Sequence, residues 1–199
     1  MADSMSRWSG ERGESLGRAF FARDIHQVAR DLLGREIWFG NRGARLVEVE
    51  VYEGANDAAS HARSGRPTGR TWPMFAEPGR VYVYRIYGMH RCLNLRAPSG
   101  VGAGAILVRA AQPLSGFEPE VHRRRRLSGP GLLCKTMGID ERLSGAWVGQ
   151  GLVLREGEPV AEERVVTRPR VGLNEARCQE ATHWPWRYII EDSPWISRR

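Results

Sequence analysis

The sequence predicts an α+β fold: a single domain with a curved, mainly antiparallel sheet and flanking helices. Three observations carry this. Alternating apolar runs are joined by tight turns, two segments show helical spacing or start signals, and there is no internal repeat, heptad pattern or low-complexity tract. At 199 residues the chain fits one domain, large enough for a substantial core and too short for two ordinary domains with a linker. The polar leader MADSMSRWSGERGES is expected to form a disordered tail over 1–15, with a monomeric domain over 16–199.

Taken in order, Asp24 caps a helix in which Ile25, Val28, Ala29, Leu32 and Leu33 recur on one face, and Gly34 is placed to end it. REIWF, the turn GNRG and RLVEVEVY read as a hairpin. Its alternation puts Glu48, Glu50 and Tyr52 on one face and Val47, Val49 and Val51 on the other. Residues 54–78 are rich in Gly, Ala, Ser, Pro and Arg and too long for a plain turn, so an ordered surface loop with functional duties is expected. RVYVYRIY and RCLNLRA form strands joined through the tight Gly88-Met89-His90 segment, and AGAILVRAAQ forms another. The basic run Arg123, Arg124, Arg125, Arg126 precedes a helix start marked by Ser128 and Pro130, ahead of Leu132, Leu133 and Met137. GLVLRE, ERVVTRPRVGL and RYII are later strands or extended segments.

A net charge of +7 and a pI near 10.0 favour a polyanionic partner such as nucleic acid, although charge alone does not separate DNA from RNA or a membrane surface. Lys135 is the single lysine among the 30 basic residues, so Schiff-base chemistry at a lysine has one candidate. Such an arginine bias reflects coding composition more than selection at individual contacts. Cys92, Cys134 and Cys178 are odd in number and lack a CxxC pair, which argues against a disulfide framework or zinc knuckle and for a reducing compartment. No signal-peptide core and no run of roughly 20 apolar residues is present. A cytoplasmic protein, nucleoid-associated if bacterial, with no membrane partner is expected.

Glu50 is the candidate general base. Alternating glutamates on a strand are ordinarily the solvated face of a half-buried sheet, but Tyr52 on the same face sets a large aromatic plane beside the carboxylate, useful for holding a flat base against an activated water. His61, in the long loop, is either a surface or structural histidine or a group that tells exocyclic oxygen from nitrogen in a base pocket. It forms no recognised ligand spacing with His26, His90, His122, His183 or the cysteines, so neither a metal nor a cofactor is expected. Tyr82, Tyr84 and Tyr87 suit strand and core positions, yet Tyr87 has the opposite parity to Tyr84 and lies beside Gly88. At a hairpin tip it can wedge into a duplex and fill the gap left by an extruded nucleotide.

Taken together, VEVEVY, AASHAR, PMFAEPGRVYVYRIYGMH, CLNL, ILVRAAQP, SGPG, PRVG and SPWIS resemble the alkyladenine (3-methyladenine) DNA glycosylases, base-excision-repair enzymes, over about residues 16–197. The resemblance implies double-stranded DNA containing damaged purines as the partner. It implies Glu50 as the base that activates water, Tyr52, His61 and Tyr84 lining the base pocket, and Tyr87 as the intercalating wedge. It also implies that Asn94 screens purines and that Arg109 helps position the water. The basic run and Ser128 are candidate phosphate contacts, or only a solvated loop. With Lys135 in a helix beside Cys134, a monofunctional hydrolase without lyase activity is expected. Leu132 stands where relatives often carry lysine, and Thr71 and Trp72 stand where asparagine is usual. Two other readings stay open: a nonenzymatic nucleic-acid-binding module, and a carbohydrate enzyme using Glu48 and Glu50, which sit too close together to flank a sugar.

Overall fold

In the computed structural model, which describes residues 14–198, the Asp24 carboxylate accepts the His26 and Gln27 N–H groups and so starts the second of five short helices. These are α1 (Arg18–Phe21), α2 (Ile25–Leu32), α3 (Pro119–Arg123), α4 (Pro130–Met137) and α5 (Glu175–Cys178). Gly34 takes a φ of +86°, where a Cβ would sit 2.7 Å from the Glu158 carbonyl oxygen, so only glycine closes α2 here.

Eight strands form one sheet: β1 (Glu36–Phe39), β2 (Arg42–Glu53), β3 (Val81–Ile86), β4 (His90–Leu95), β5 (Gly104–Ser115), β6 (Leu152–Arg155), β7 (Val165–Arg168) and β8 (Arg187–Ile190). The order is β3-β4-β5-β2-β1-β6, with β8 against the far half of β2 and β7 beyond it. Every pairing is antiparallel. The central strand β2 therefore has neighbours along its whole length.

Val47, Val49 and Val51 join Ile25, Val28 and Leu32 of α2 in the main core. On the opposite face of β2, Glu48 and Glu50 are 0% exposed, which overturns the solvated-face alternative. Loops and the C-terminal segment cover that face instead. Register shifts on both sides of Glu48, where β2 meets β5, break the regular ladder next to Arg109, and such irregularities re-aim side chains.

A second apolar cluster of Ala62, Met74, Tyr82, Ala103 and Ala105 anchors the loop over residues 54–78 to the sheet. Thr71 is buried and bonded to Thr68, and Trp72 packs over Gly145, so the two unusual residues near the PMF motif both serve the local loop geometry. Of the expected N-terminal tail, residues 1–13 lie outside the described residues, while Ser15 bridges Arg155. Residues 119–123 add a short helix, and the strand within ERVVTRPRVGL covers Val165–Arg168. The helix marked by Ser128 and Pro130 starts at Pro130, with Gly129 as its cap, while the Ser128 hydroxyl donates to the Trp195 carbonyl. Among the described residues no helix is long and apolar enough to cross a membrane.

Candidate active site

A cavity of about 450 Å³ opens beside β2, between the long loop, the β3–β4 hairpin and the start of α4. That volume falls in the range of small-molecule sites. Tyr52, His61, Tyr84, Asn94 and Arg109 line it, and Tyr87 stands at its rim. The His61 and Tyr84 rings meet edge to face at 4.5 Å, and Tyr82 and Tyr84 are 5.4 Å apart. These rings make an aromatic wall. Asn94 is buried, and its amide nitrogen donates to the carbonyls of Tyr82 at 3.1 Å and Cys92 at 3.2 Å, so its position is fixed by the backbone of two strands.

Glu50 does not itself border the cavity; it lies directly behind Tyr52, Arg109 and Val171, three groups that do. The Tyr52 hydroxyl donates to Oε2 at 2.8 Å, Arg109 Nη1 donates to Oε2 at 3.1 Å, and the Val171 N–H donates to Oε1 at 2.7 Å. Arg109 also donates from Nε to Glu48 at 3.1 Å, and so bridges the two carboxylates. Glu48 in turn accepts from Arg187 and from both the hydroxyl and N–H of Ser197. Two buried carboxylates thus share Arg109, with Arg187 and Ser197 completing the set.

Burial raises the pKa of Glu50, while Arg109, the Val171 N–H and the Tyr52 hydroxyl pull it down, and the balance stays above the ordinary 4.5. Burial, then the nearby Glu50 charge, push the Tyr52 phenol well above its usual range, so Tyr52 remains the donor. Burial would weaken the Arg109 charge, but Glu50 and Glu48 outweigh it and raise its pKa. For His61, burial and then the cations of Arg70, Arg177 and Arg63 lower the pKa to about 4. Its imidazole is therefore neutral at neutral pH, with Nδ1 3.1 Å from the Tyr82 hydroxyl.

At the hairpin tip Tyr87 is 82% exposed and left-handed, with φ +51°, followed by Gly88 at φ +69°. The Met89 N–H donates to the Ile86 carbonyl across this turn. Positive φ at both central residues is the type I′ pattern, which favours asparagine or glycine first, and a left-handed L-residue costs about 1–2 kcal/mol. Tyr87→Asn is accordingly expected to raise stability by up to about 1 kcal/mol in thermal melts. A lower melting temperature would show that the tyrosine side chain serves the fold.

The basic run is not part of this cavity. Arg123 and Arg124 pair with Glu120, and Arg125 donates to the Ile196 carbonyl. Sequence reasoning also missed residues that matter. Val171 contributes through its backbone, which no side-chain pattern reveals. Asp57 and Arg170 form a fully buried ion pair at 2.6 Å behind the loop, and Glu48 was set aside with the carbohydrate reading. Leu132, together with Gly129, Pro130 and Gly131, forms the cavity edge opposite the loop, which gives that departure a place in the site.

A family model for methylpurine-DNA glycosylase (MPG) matches residues 19–194. Three similar proteins carry the name "Putative 3-methyladenine DNA glycosylase". One from Anaeromyxobacter dehalogenans (strain 2CP-1) is 43% identical over 92% of this chain and 85% of its own length. One from Methanocella arvoryzae is 40% identical over 92% of this chain and 96% of its own. A third, from Alkaliphilus oremlandii, is 36% identical over 92% of this chain and 99% of its own. With a match across nearly the whole described fold, the chain belongs to the methylpurine-DNA glycosylase family.

Proposed function

We propose that this protein is a monofunctional DNA glycosylase that extrudes alkylated purines from duplex DNA and hydrolyses their N-glycosidic bond with an activated water. The observation that carries the reading is the buried Glu50 carboxylate, set directly behind an aromatic cavity by Tyr52, Arg109 and Val171. A carboxylate has about four acceptor positions; these three donors leave one for a water. Glu50 takes a proton from that water as it attacks C1′, and its charge stabilises the oxocarbenium character of the sugar as the bond to the base breaks. Arg109 keeps Glu50 ionised and helps orient the water.

The extruded base stacks against Tyr52 and Tyr84, whose faces favour a cationic purine. His61, being neutral, reads the base edge by hydrogen bonding and is a poor proton donor to a leaving group. This favours lesions whose positive charge makes them leave without protonation; etheno and deaminated purines are slower candidates. Asn94, locked by two backbone carbonyls, cannot step aside for the 2-amino group of guanine. Tyr87 fills the gap left in the duplex.

Exposed Arg63, Arg70 and Arg177 lie close enough to His61 to lower its pKa, and they supply positive charge at the cavity mouth. They are better placed for phosphates flanking the extruded nucleotide than the run from Arg123 to Arg126, two of whose members are paired with Glu120. Lys135 is exposed on α4 and does not line the cavity, which supports a hydrolase without lyase activity.

The test is a panel of duplexes carrying methylated, etheno and deaminated purines, scored for free base and for protein–DNA adducts after borohydride reduction. Base release with methylated purines fastest and no adduct is expected. Binding with no base released from any lesion would instead support a nonenzymatic binding module, and an adduct would refute the monofunctional assignment.

A further inference from the structure

The Arg170 side chain is fully buried, and its guanidinium forks onto both oxygens of Asp57 at 2.6 and 2.8 Å. The same two nitrogens also donate to the carbonyls of Val51 at 2.9 Å and Ala181 at 3.1 Å. One cation thus ties together the working strand β2, the long loop and the turn that follows α5. Asp57 is equally committed: it accepts the N–H groups of Glu53 and Ala59, which shapes the start of the loop that carries His61.

Two further contacts connect this pair to the reacting groups. The Arg170 guanidinium lies 4.7 Å from the centre of the Tyr52 ring, and Tyr52 donates to Glu50. The residue after Arg170 is Val171, whose N–H holds the other Glu50 oxygen at 2.7 Å. Neither Asp57 nor Arg170 lines the cavity, so neither touches a bound base.

We infer that the buried Asp57–Arg170 pair is a positioning element of this site, fixing the Val171 N–H and the Tyr52 hydroxyl on Glu50 and thereby keeping Glu50 ionised. The inference deepens the glycosylase reading, but its geometry does not depend on the identity of the lesion. Both donors bond to the charged form of the carboxyl, and loosening either favours the protonated form. The other ionisable groups facing the two carboxylates are Arg109 from β5, Arg187 from β8, Tyr84 from β3 and Cys92 from β4, with Glu48 and Tyr52 on β2 itself. Asp57→Asn and Arg170→Lys leave all of these in place. Second-layer partners of this kind typically change activity by about 10–100-fold in metal sites, and a similar mechanism operates here through a carboxylate.

The test follows the Glu50 side-chain carboxyl by carbon-13 NMR across pH, assigned with Glu50→Gln, in the parent, Asp57→Asn, Arg170→Lys and a remote destabilised control, Leu154→Ala. The titration midpoint is expected to rise by about one pH unit in both site variants and to stay put in the control. Single-turnover release of methylpurines from methylated DNA should fall about tenfold below the acid limb and about twofold above it. Unchanged midpoints in whichever of the two site variants folds would overturn the inference. A parent that titrates as expected yet releases no base would defeat the glycosylase reading and leave the positioning role standing.

Discussion

Replacing Glu50 with glutamine is expected to reduce base release by at least about 10²–10⁴-fold, with lesion-duplex affinity changed by less than about threefold. Glutamine preserves the shape of the side chain and still offers an oxygen to the Val171 N–H, while its NH2 group donates to the Tyr52 hydroxyl and gives up only the bond from Arg109 Nη1. What it loses is the ability to accept a proton from water. Arg109 is not left without a counter-ion, because its Nε remains bonded to Glu48. The same carboxylate predicts the pH profile of the parent. In the proposed reaction Glu50 acts as the carboxylate, and burial holds its pKa above 4.5, so activity is expected to fall with acid through a limb above the ordinary glutamate value. His61 titrates near 4 and does not set that limb. The stability sign runs the other way: a carboxyl whose pKa is raised on folding favours the folded state at low pH and loses that contribution as pH rises through the raised value. Glu50→Gln removes this loss, so relative to the parent it should gain stability as pH rises.

Arg109→Met is expected to be the most destabilising substitution in the site, by about 3–5 kcal/mol, because removing one partner of a buried ion network strands the charges that remain. Glu48 and Glu50 are both 0% exposed and share this guanidinium. Glu48 keeps Arg187 and Ser197, so the larger penalty falls on Glu50, whose remaining partners are an N–H and a phenol. In thermal melts the variant should lose roughly 10 °C. The loss should shrink as pH falls and the carboxyls take up protons. Combining it with Glu50→Gln should cost less than the sum of the two, because the stranded charge is gone. Additive effects, or a loss independent of pH, would show that Arg109 acts through packing alone.

Local rules carried the parts of the molecule that local forces decide. Asp24 ahead of a one-faced apolar run marked α2, and strict alternation placed Glu48, Glu50 and Tyr52 on one face of β2. Tyr87 before Gly88 marked a hairpin tip. The pairing of the basic run also has a local cause: Glu120 stands three and four residues before Arg123 and Arg124, the spacing of helical ion pairs, and Pro119 occupies the first turn.

Other features depend on chain segments that meet only in the folded state. Asp57 and Arg170 are 113 residues apart, and Glu48 and Ser197 are 149 apart. Nothing in the period of either segment announces such a partner. The burial of both faces of β2 was hidden for the same reason, because Glu50 is covered from a loop after β7 and Glu48 from the C-terminal segment. Val171 was hidden more completely still, since its contribution is a backbone N–H available to any residue but proline.

The central claim is that an extruded purine nucleotide occupies the cavity bordered by Tyr52, His61 and Tyr84, with Glu50 priming water at its C1′. A crystal structure with a duplex containing a stable cationic abasic-sugar mimic tests this most directly. The account predicts the sugar mimic at the cavity mouth, Tyr87 inserted in the duplex, and a water within about 3.2 Å of a Glu50 carboxylate oxygen. A mimic bound elsewhere on the surface, or a Glu50 carboxylate still sealed from water with the duplex in place, would contradict it.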